Sequence, residues 1–220
     1  MTLIEGENSA REIIHGDAIP WLRAFTPRND ASFITSLPDV SELPELGLPG
    51  WRGWFEETAA LILERTHPEA VAIFFQSDIR KGGAWVDKGH IVHTAADRVG
   101  ARCLWHKIVC RLPAGTPSHG RATYSHMLCF SKGLQPNAAF AGVDVLAETG
   151  EMTWPKAMGI NACAIACRYV KQQTQSRLII DPFCGQGSVL AVANALGMAA
   201  LGVDLSARRC QKARALRIRL

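Results

Sequence analysis

Residues 177–206 read RLIIDPFCGQGSVLAVANALGMAALGVDLS, and no other stretch of the chain constrains the fold as strongly. An apolar run ends on Asp181, a glycine-rich turn follows, then a helical stretch, a second apolar run and a second acid, Asp204. That order is strand, turn, helix, strand, the unit from which parallel sheets are built. Gly185 and Gly187 lack a Cβ, so the backbone can turn tightly and let a ligand lie against it. The helix opening near Ser188 directs its free N–H groups at that same place. Asp204 closes the second strand ~20 residues after the turn, where an acid grips ribose hydroxyls in dinucleotide sites. Such a unit usually opens a nucleotide-binding domain; here it begins at residue 177 of 220.

The preceding residues must then supply the rest of the sheet, and their patterning agrees. REIIHGD (11–17), ASFITSLPD (31–39), AVAIFFQSD (70–78), RCLWHKIVCR (102–111) and SHMLCFSK (125–132) read as strands. Helical spacing is expected in PWLRAF, GWFEETAALILERTH (53–67), VDKGHIVHTAADRVG (86–100), AMGINACAIACRYVKQQ and SARRCQKARALRIRL. The Gly-, Pro- and Ser-rich LPAGTPSHGRATY and residues 133–155 are expected to be loops. Alternation throughout predicts an α/β, Rossmann-like, doubly wound and mostly parallel sheet.

Composition narrows the class. A hydrophobic fraction of 48% supports a sizeable core, and a net charge of +4 permits an anionic partner without demanding one. The seven cysteines have no CxxC pair and no zinc spacing, so no metal site is expected. Cys163 and Cys167, one helical turn apart, read as buried small hydrophobes, and reduced cytoplasmic thiols fit the usage. No apolar stretch approaches the ~20 residues of a membrane span, and MTLIEGENSARE does not look like a signal peptide.

The turn holds only G-x-G, not the G-x-G-x-x-G of NAD sites. Asp181 would repel a pyrophosphate but welcome the ammonium group of S-adenosylmethionine. DPFCGQGSVLAVANALGMAALGVDLS resembles the cofactor motif of S-adenosylmethionine-dependent amino methyltransferases of DNA, which modify adenine N6 or cytosine N4. One class of that family is circularly permuted, so that the catalytic half precedes the cofactor half. The resemblance extends in order through REIIHGD, RCLWHKIVCR, YSHMLCFSKG and TWPKAMGINACAIACRYV. It implies a single domain over 1–220, with residues 1–150 as the catalytic and substrate half and 151–220 as the cofactor half. It also implies S-adenosyl-L-methionine as cofactor. Asp17, Trp154, Pro155, Lys156, Asp181, Phe183, Cys184, Gly185, Gly187, Ser188 and Asp204 would surround it.

The family's catalytic tetrapeptide is Asp, Asn or Ser, then Pro-Pro, then an aromatic residue that stacks on the flipped base. The matching stretch is Ser36-Leu37-Pro38-Asp39, in which Ser36 and Pro38 fit and Leu37 and Asp39 do not. Asp39 cannot stack; it can accept a proton or hydrogen bond, or cap the turn that follows. Trp51, Trp54 or Trp85 could replace the missing ring, each being equally a packing residue. The resemblance therefore implies methyl transfer, with the target atom open.

His106, Lys107, Arg111, Arg121 and Tyr124 are the candidate substrate contacts, basic and aromatic residues suited to a backbone-and-base partner. The last helix adds Arg208, Arg209, Lys212, Arg214, Arg217 and Arg219, a solvated face or a phosphate-binding one. With little length for a separate reader of a DNA site, RNA such as tRNA is favoured over DNA as substrate. A homodimer or a partner subunit is possible. A degenerate, cofactor-binding subunit and a small-molecule methyltransferase are the competing readings.

Overall fold

The computed structural model describes residues 10–137 and 142–220. The N-terminal residues 1–9 and the part of the 133–155 loop at 138–141 lie outside the described residues. In chain order the strands are β1 (Arg11–His15), β2 (Ala31–Thr35), β3 (Ala72–Gln76), β4 (Ile79–Lys81), β5 (Ala84–Val86), β6 (Arg102–Cys110), β7 (Tyr124–Ser131), β8 (Val145–Leu146), β9 (Leu178–Asp181) and β10 (Ala199–Asp204). The helices are α1 (Ala18–Ala24), α2 (Gly47–Glu64), α3 (Lys88–Arg98), α4 (Ile160–Gln173), α5 (Ser188–Ala195) and α6 (Ala207–Ala215).

Eight strands form one sheet in the order β1-β10-β9-β2-β3-β7-β6-β8. The five strands from β1 to β3 in that order run parallel, and β7 is inserted antiparallel between β3 and β6. β2 and β3 are buried along their whole length, because helices cover both faces. Consecutive side chains point to opposite faces. Ile34 and Ile73 therefore pack toward α4 and α5, while Phe33 and Phe74 pack toward α2 and α3. Cys163 and Cys167 are fully buried in the first of these cores.

The late glycine unit supplies the middle of the sheet: β9 sits between β10 and β2. The strand carboxyl ends meet there, and chain direction across the sheet reverses between β9 and β2, the place where open α/β sheets bind ligands. β8 pairs with β6 inside the stretch 133–155 expected to be a loop, and three further details differ from the sequence reading. α2 begins at Gly47, six residues before the expected start at 53, because Pro44 and Gly47 set up a short 3-10 turn that runs into it. The final helix stops at Ala215, after which Arg11 bonds the carbonyls of Ala213 and Leu216 and holds the tail against β1. Residues 79–86 form the small hairpin β4–β5, turning at Gly82 and Gly83.

Candidate functional site

Two adjoining cavities open at the carboxyl ends of the central strands. The first, about 290 Å³, lies along the glycine turn and is lined by residues that include Asp17, Ser36, Trp54, Trp154, Phe183, Asp204 and Arg209. Gly185 has φ +55, and a Cβ there would fall 2.6 Å from Cζ2 of Trp154, so the indole lies directly over the turn. Arg209 in turn stacks over Trp154 at 5.5 Å. Ser188 starts α5 and its hydroxyl meets that of Thr153 at 2.5 Å.

Two buried carboxylates line this cavity. Asp181 accepts from the Thr35 hydroxyl at 2.7 Å and from the Phe183 N–H at 3.1 Å. Burial nonetheless pushes its carboxyl up to about 7, with the charge of Asp204 adding to the effect. Asp204 accepts from the N–H groups of Gly185 at 3.0 Å and Ser206 at 2.8 Å, with Arg209 at 3.8 Å. Burial raises its pKa as well, against those bonds and the Arg209 charge. Two buried acids with raised pKa values suit a cationic ligand that also carries hydroxyl donors. Asp17 caps α1 by accepting from Ile19 N–H at 2.8 Å and lines the same cavity.

The second cavity, about 200 Å³, shares Ser36, Leu37, Glu42, Lys156 and Ala157 with the first. Its other walls are Asp39 after β2, Gln76 to Asp78 at the end of β3, Lys88 at the start of α3, and Arg111 and Arg121 from the β6–β7 loop. Lys88 is buried and donates to Asp39 Oδ2 at 3.2 Å, above the Trp51 ring at 5.5 Å. Burial lowers the Lys88 pKa, opposed by Asp39, Asp78 and Glu42. Arg111 is held below its ordinary value by burial and then by the like charge of Arg121. Neither arginine is in a salt bridge among the described residues, so this cavity is lined by two cations without an ion-pair partner.

Of the residues singled out from the sequence, Asp17, Ser36, Pro38, Trp154, Lys156, Asp181, Phe183, Cys184, Gly185, Ser188 and Asp204 line the first cavity. Asp39, Pro155, Arg111 and Arg121 line the second instead, and Lys156 reaches both while pairing with Glu42 at 3.1 Å. Gly187, at φ +81, serves packing: a Cβ there would meet that of Ala213 at 2.9 Å. The Cys184 thiol points inward, since a Cβ on Gly202 would stand 2.8 Å from its Sγ.

The sequence placed His106, Lys107 and Tyr124 at the substrate; the structure puts all three outside both cavities. Lys107 Nζ binds the Val143 carbonyl at 2.8 Å and fastens the β8 segment. His106 meets His126 at 2.9 Å, and His126 meets the buried Asp78 at 2.9 Å. Tyr124 also donates to Asp78, at 3.4 Å. Among the tryptophans, Trp51 is buried with its indole N–H on the Pro38 carbonyl at 3.1 Å, and Trp54 lines the first cavity. Trp85 is 42% exposed beneath Arg80.

Sequence reasoning passed over Gln76, Asp78 and Lys88. Asp78 is a structural hub: besides His126 and Tyr124 it accepts from Lys88 N–H at 2.8 Å and Trp85 Nε1 at 3.1 Å. Asp87 stands beside them, but four donors already occupy the Asp78 oxygens. The available signal was Gln-Ser-Asp at the end of the apolar run AVAIFF, polar residues at the carboxyl end of a buried strand.

No protein-family model matches the chain, and no curated protein matches it in sequence. Solved structures do. TTHA0409 of Thermus thermophilus, provisionally named a DNA modification methylase, is 16% identical with a TM-score of 0.72, the match covering 94% of this chain and 93% of that one. The PvuII DNA methyltransferase, named cytosine-N4-specific, is 14% identical with a TM-score of 0.71 over 95% of this chain and 88% of its own. M1.HpyAVI, solved with S-adenosylmethionine, is 12% identical with a TM-score of 0.60 over 94% and 100%. TTHA0409 has also been solved with S-adenosyl-L-methionine. The α/β Rossmann-like fold of these methyltransferases is therefore the fold of this chain.

Proposed function

We infer that this chain is an S-adenosylmethionine-dependent methyltransferase acting on a nucleic-acid base. The observation that carries the reading is the pair of cavities meeting at Ser36 and Leu37. One holds two buried acids beside a glycine turn, and the other is lined by two arginines without an ion-pair partner. The first suits the cofactor. Asp181 faces its cationic amino-acid end, Asp204 its ribose hydroxyls, and Trp154 and Phe183 flank the turn. When bound there, the cofactor supplies an electrophilic methyl group on a sulfonium.

The chain's own residues do the rest. Arg111 and Arg121 hold a phosphate while a base enters the second cavity. Ser36 and Asp39 accept hydrogen bonds from the target group and direct its lone pair toward the first cavity. The cofactor would supply the methyl carbon to that lone pair and keep the electron pair of the broken carbon–sulfur bond, while Asp39 or water would take the target's proton. The neighbours named for their substrate are named for DNA, and nothing in the fold supports the lean toward RNA, so DNA is the acceptor proposed.

The test is methyl transfer from radiolabelled S-adenosylmethionine to genomic DNA and to total RNA from a strain lacking this gene. Label in DNA that disappears in Ser36→Ala and Asp39→Ala, with cofactor affinity kept, is expected. Label in RNA alone overturns the choice of DNA. Cofactor binding with no label in either pool overturns the nucleic-acid reading and returns the chain to the small-molecule or subunit alternatives.

A further inference from the structure

The second cavity holds two hydrogen-bond donors that the protein leaves unused. Gln76 is 1% exposed, lines the cavity, and its amide nitrogen has no hydrogen-bond partner among the described residues. A buried amide donor without a partner costs about 1–3 kcal/mol. Lys88 is 3% exposed and lines the same cavity. Of its three N–H donors, only the bond to Asp39 Oδ2 at 3.2 Å is taken by the protein. Beside these donors stand two acceptors, Asp39 and the Ser36 hydroxyl. An arrangement with spare buried donors beside a carboxylate is unfinished by itself; the missing part is a ligand edge rich in acceptors that also carries one N–H donor.

We propose that Gln76 and Lys88 read the base, and that they select cytosine over adenine. The proposal rests on the nucleic-acid reading above. The pairing edge of cytosine presents an amine followed by two acceptors, ring N3 and carbonyl O2, so the amine meets Asp39 or Ser36 and both spare donors are covered. The same edge of adenine presents an amine and one acceptor, N1, and then a C–H, which leaves one buried donor without a partner. Guanine and thymine place an N–H where the ring acceptor is needed. Lys88 and Gln76 thereby supply the discrimination, while Asp39 remains at the amine.

The experiment uses the purified chain, radiolabelled S-adenosylmethionine and single-stranded DNA oligonucleotides of thymine carrying cytosines, adenines or 3-deazacytosines. Expected for the unaltered chain is a kcat/KM about 10- to 100-fold higher on cytosine than on adenine, the cost of one unpaired donor. The same loss is expected on 3-deazacytosine, which lacks the ring acceptor. Gln76→Leu and Lys88→Met should each bring cytosine down toward adenine, with calorimetric affinity for S-adenosylmethionine unchanged as proof of folding. In the variant whose donor meets N3, 3-deazacytosine and cytosine should become equal. Preference for adenine overturns the proposal. So does a cytosine preference that survives both substitutions, or a 3-deazacytosine penalty unchanged in both. Label in no oligonucleotide, with cofactor still bound, instead removes the nucleic-acid reading on which it stands.

Discussion

The two cavities share a wall but differ in how much of each one local unit supplies. The largest share of the first cavity's wall comes from one continuous stretch, 181–209, in which strand, turn, helix and strand follow without interruption, and 16–19, 36–43, Trp54 and 154–158 complete it. The wall of the second is gathered from five separate places: residues 36–42, 75–79, 88, 111–125 and 149–157. The part of a site encoded in one βαβ unit carries its geometry in local spacing. A site assembled across a sheet carries it only in the folded chain. The first is also filled with packing constraints, Trp154 against Gly185 and Ala213 against Gly187, while the second keeps spare donors and arginines without an ion-pair partner.

Substitutions should separate the two cavities cleanly. The largest effect is expected from Gly185→Val, which puts a branched side chain at φ +55 against Trp154. Calorimetry should show S-adenosylmethionine affinity reduced by about 100-fold or more, while binding to a DNA oligonucleotide persists. Asp39→Ala should do the reverse. Its effect belongs in kcat, about 100-fold by single-turnover kinetics, with cofactor affinity intact.

Asp181 offers a proton-linked version of the same separation. Its carboxyl, ordinarily near 3.8, titrates at about 7 in the fold. Only the ionised form attracts a cation, so cofactor affinity should rise with pH through about 7 and level off above it. Asp181→Asn should flatten that profile. The sign for stability is opposite. Between 3.8 and 7 the folded chain binds a proton that the unfolded chain has released, so this group makes the ligand-free protein less stable as pH rises. Above pH 7 the Asn variant should therefore be more stable, by ~2–4 kcal/mol in denaturant melts, since its amide oxygen can still accept from Thr35 and Phe183.

A smaller effect belongs to the arginines of the second cavity. Arg111→Ala and Arg121→Ala should each weaken DNA binding about tenfold and reduce the salt dependence of log K by about 1. His106→Ala is the control. It lies outside both cavities, and stability should change by ~1 kcal/mol through the loss of its bond to His126, with KM unmoved. A shift in DNA affinity for His106→Ala as large as that for Arg121→Ala would break the distinction between the two cavities.

What could be read in advance follows the same division. The strand and helix pattern was legible because buried parallel strands such as AVAIFF and amphipathic helices advertise themselves in hydrophobic period. The glycine turn and its two acids were legible because their spacing is local. For the complementary reason, the sequence does not show which partners His106 and Lys107 meet. LWHKIVC shows that both belong to a strand, but alternation along β6 does not show that Lys107 meets the Val143 carbonyl or that His106 meets His126. Lys88 was invisible because a lysine opening a helix reads as solvated, and only the fold buries it beside Asp39. The β4–β5 hairpin escaped because IRKGGAWV is polar and short, held by the Trp85 bond to Asp78 and the bridge from Ile79 to Arg121.

The position of β9 also governs how the molecule is made. During synthesis β2 and β3 leave the ribosome long before the strand that must lie against β2, and β1 waits for β10. Until the last quarter of the chain arrives, β2 exposes an open edge in an apolar strand, the feature that most invites pairing between chains. Completion requires β9 to add to that edge and β10 and β1 to follow, a slow step dominated by contacts between distant residues. A ribosome that stalls before residue 178 would thus release a sticky fragment, and chaperone occupancy of the nascent chain should persist until β9 has emerged.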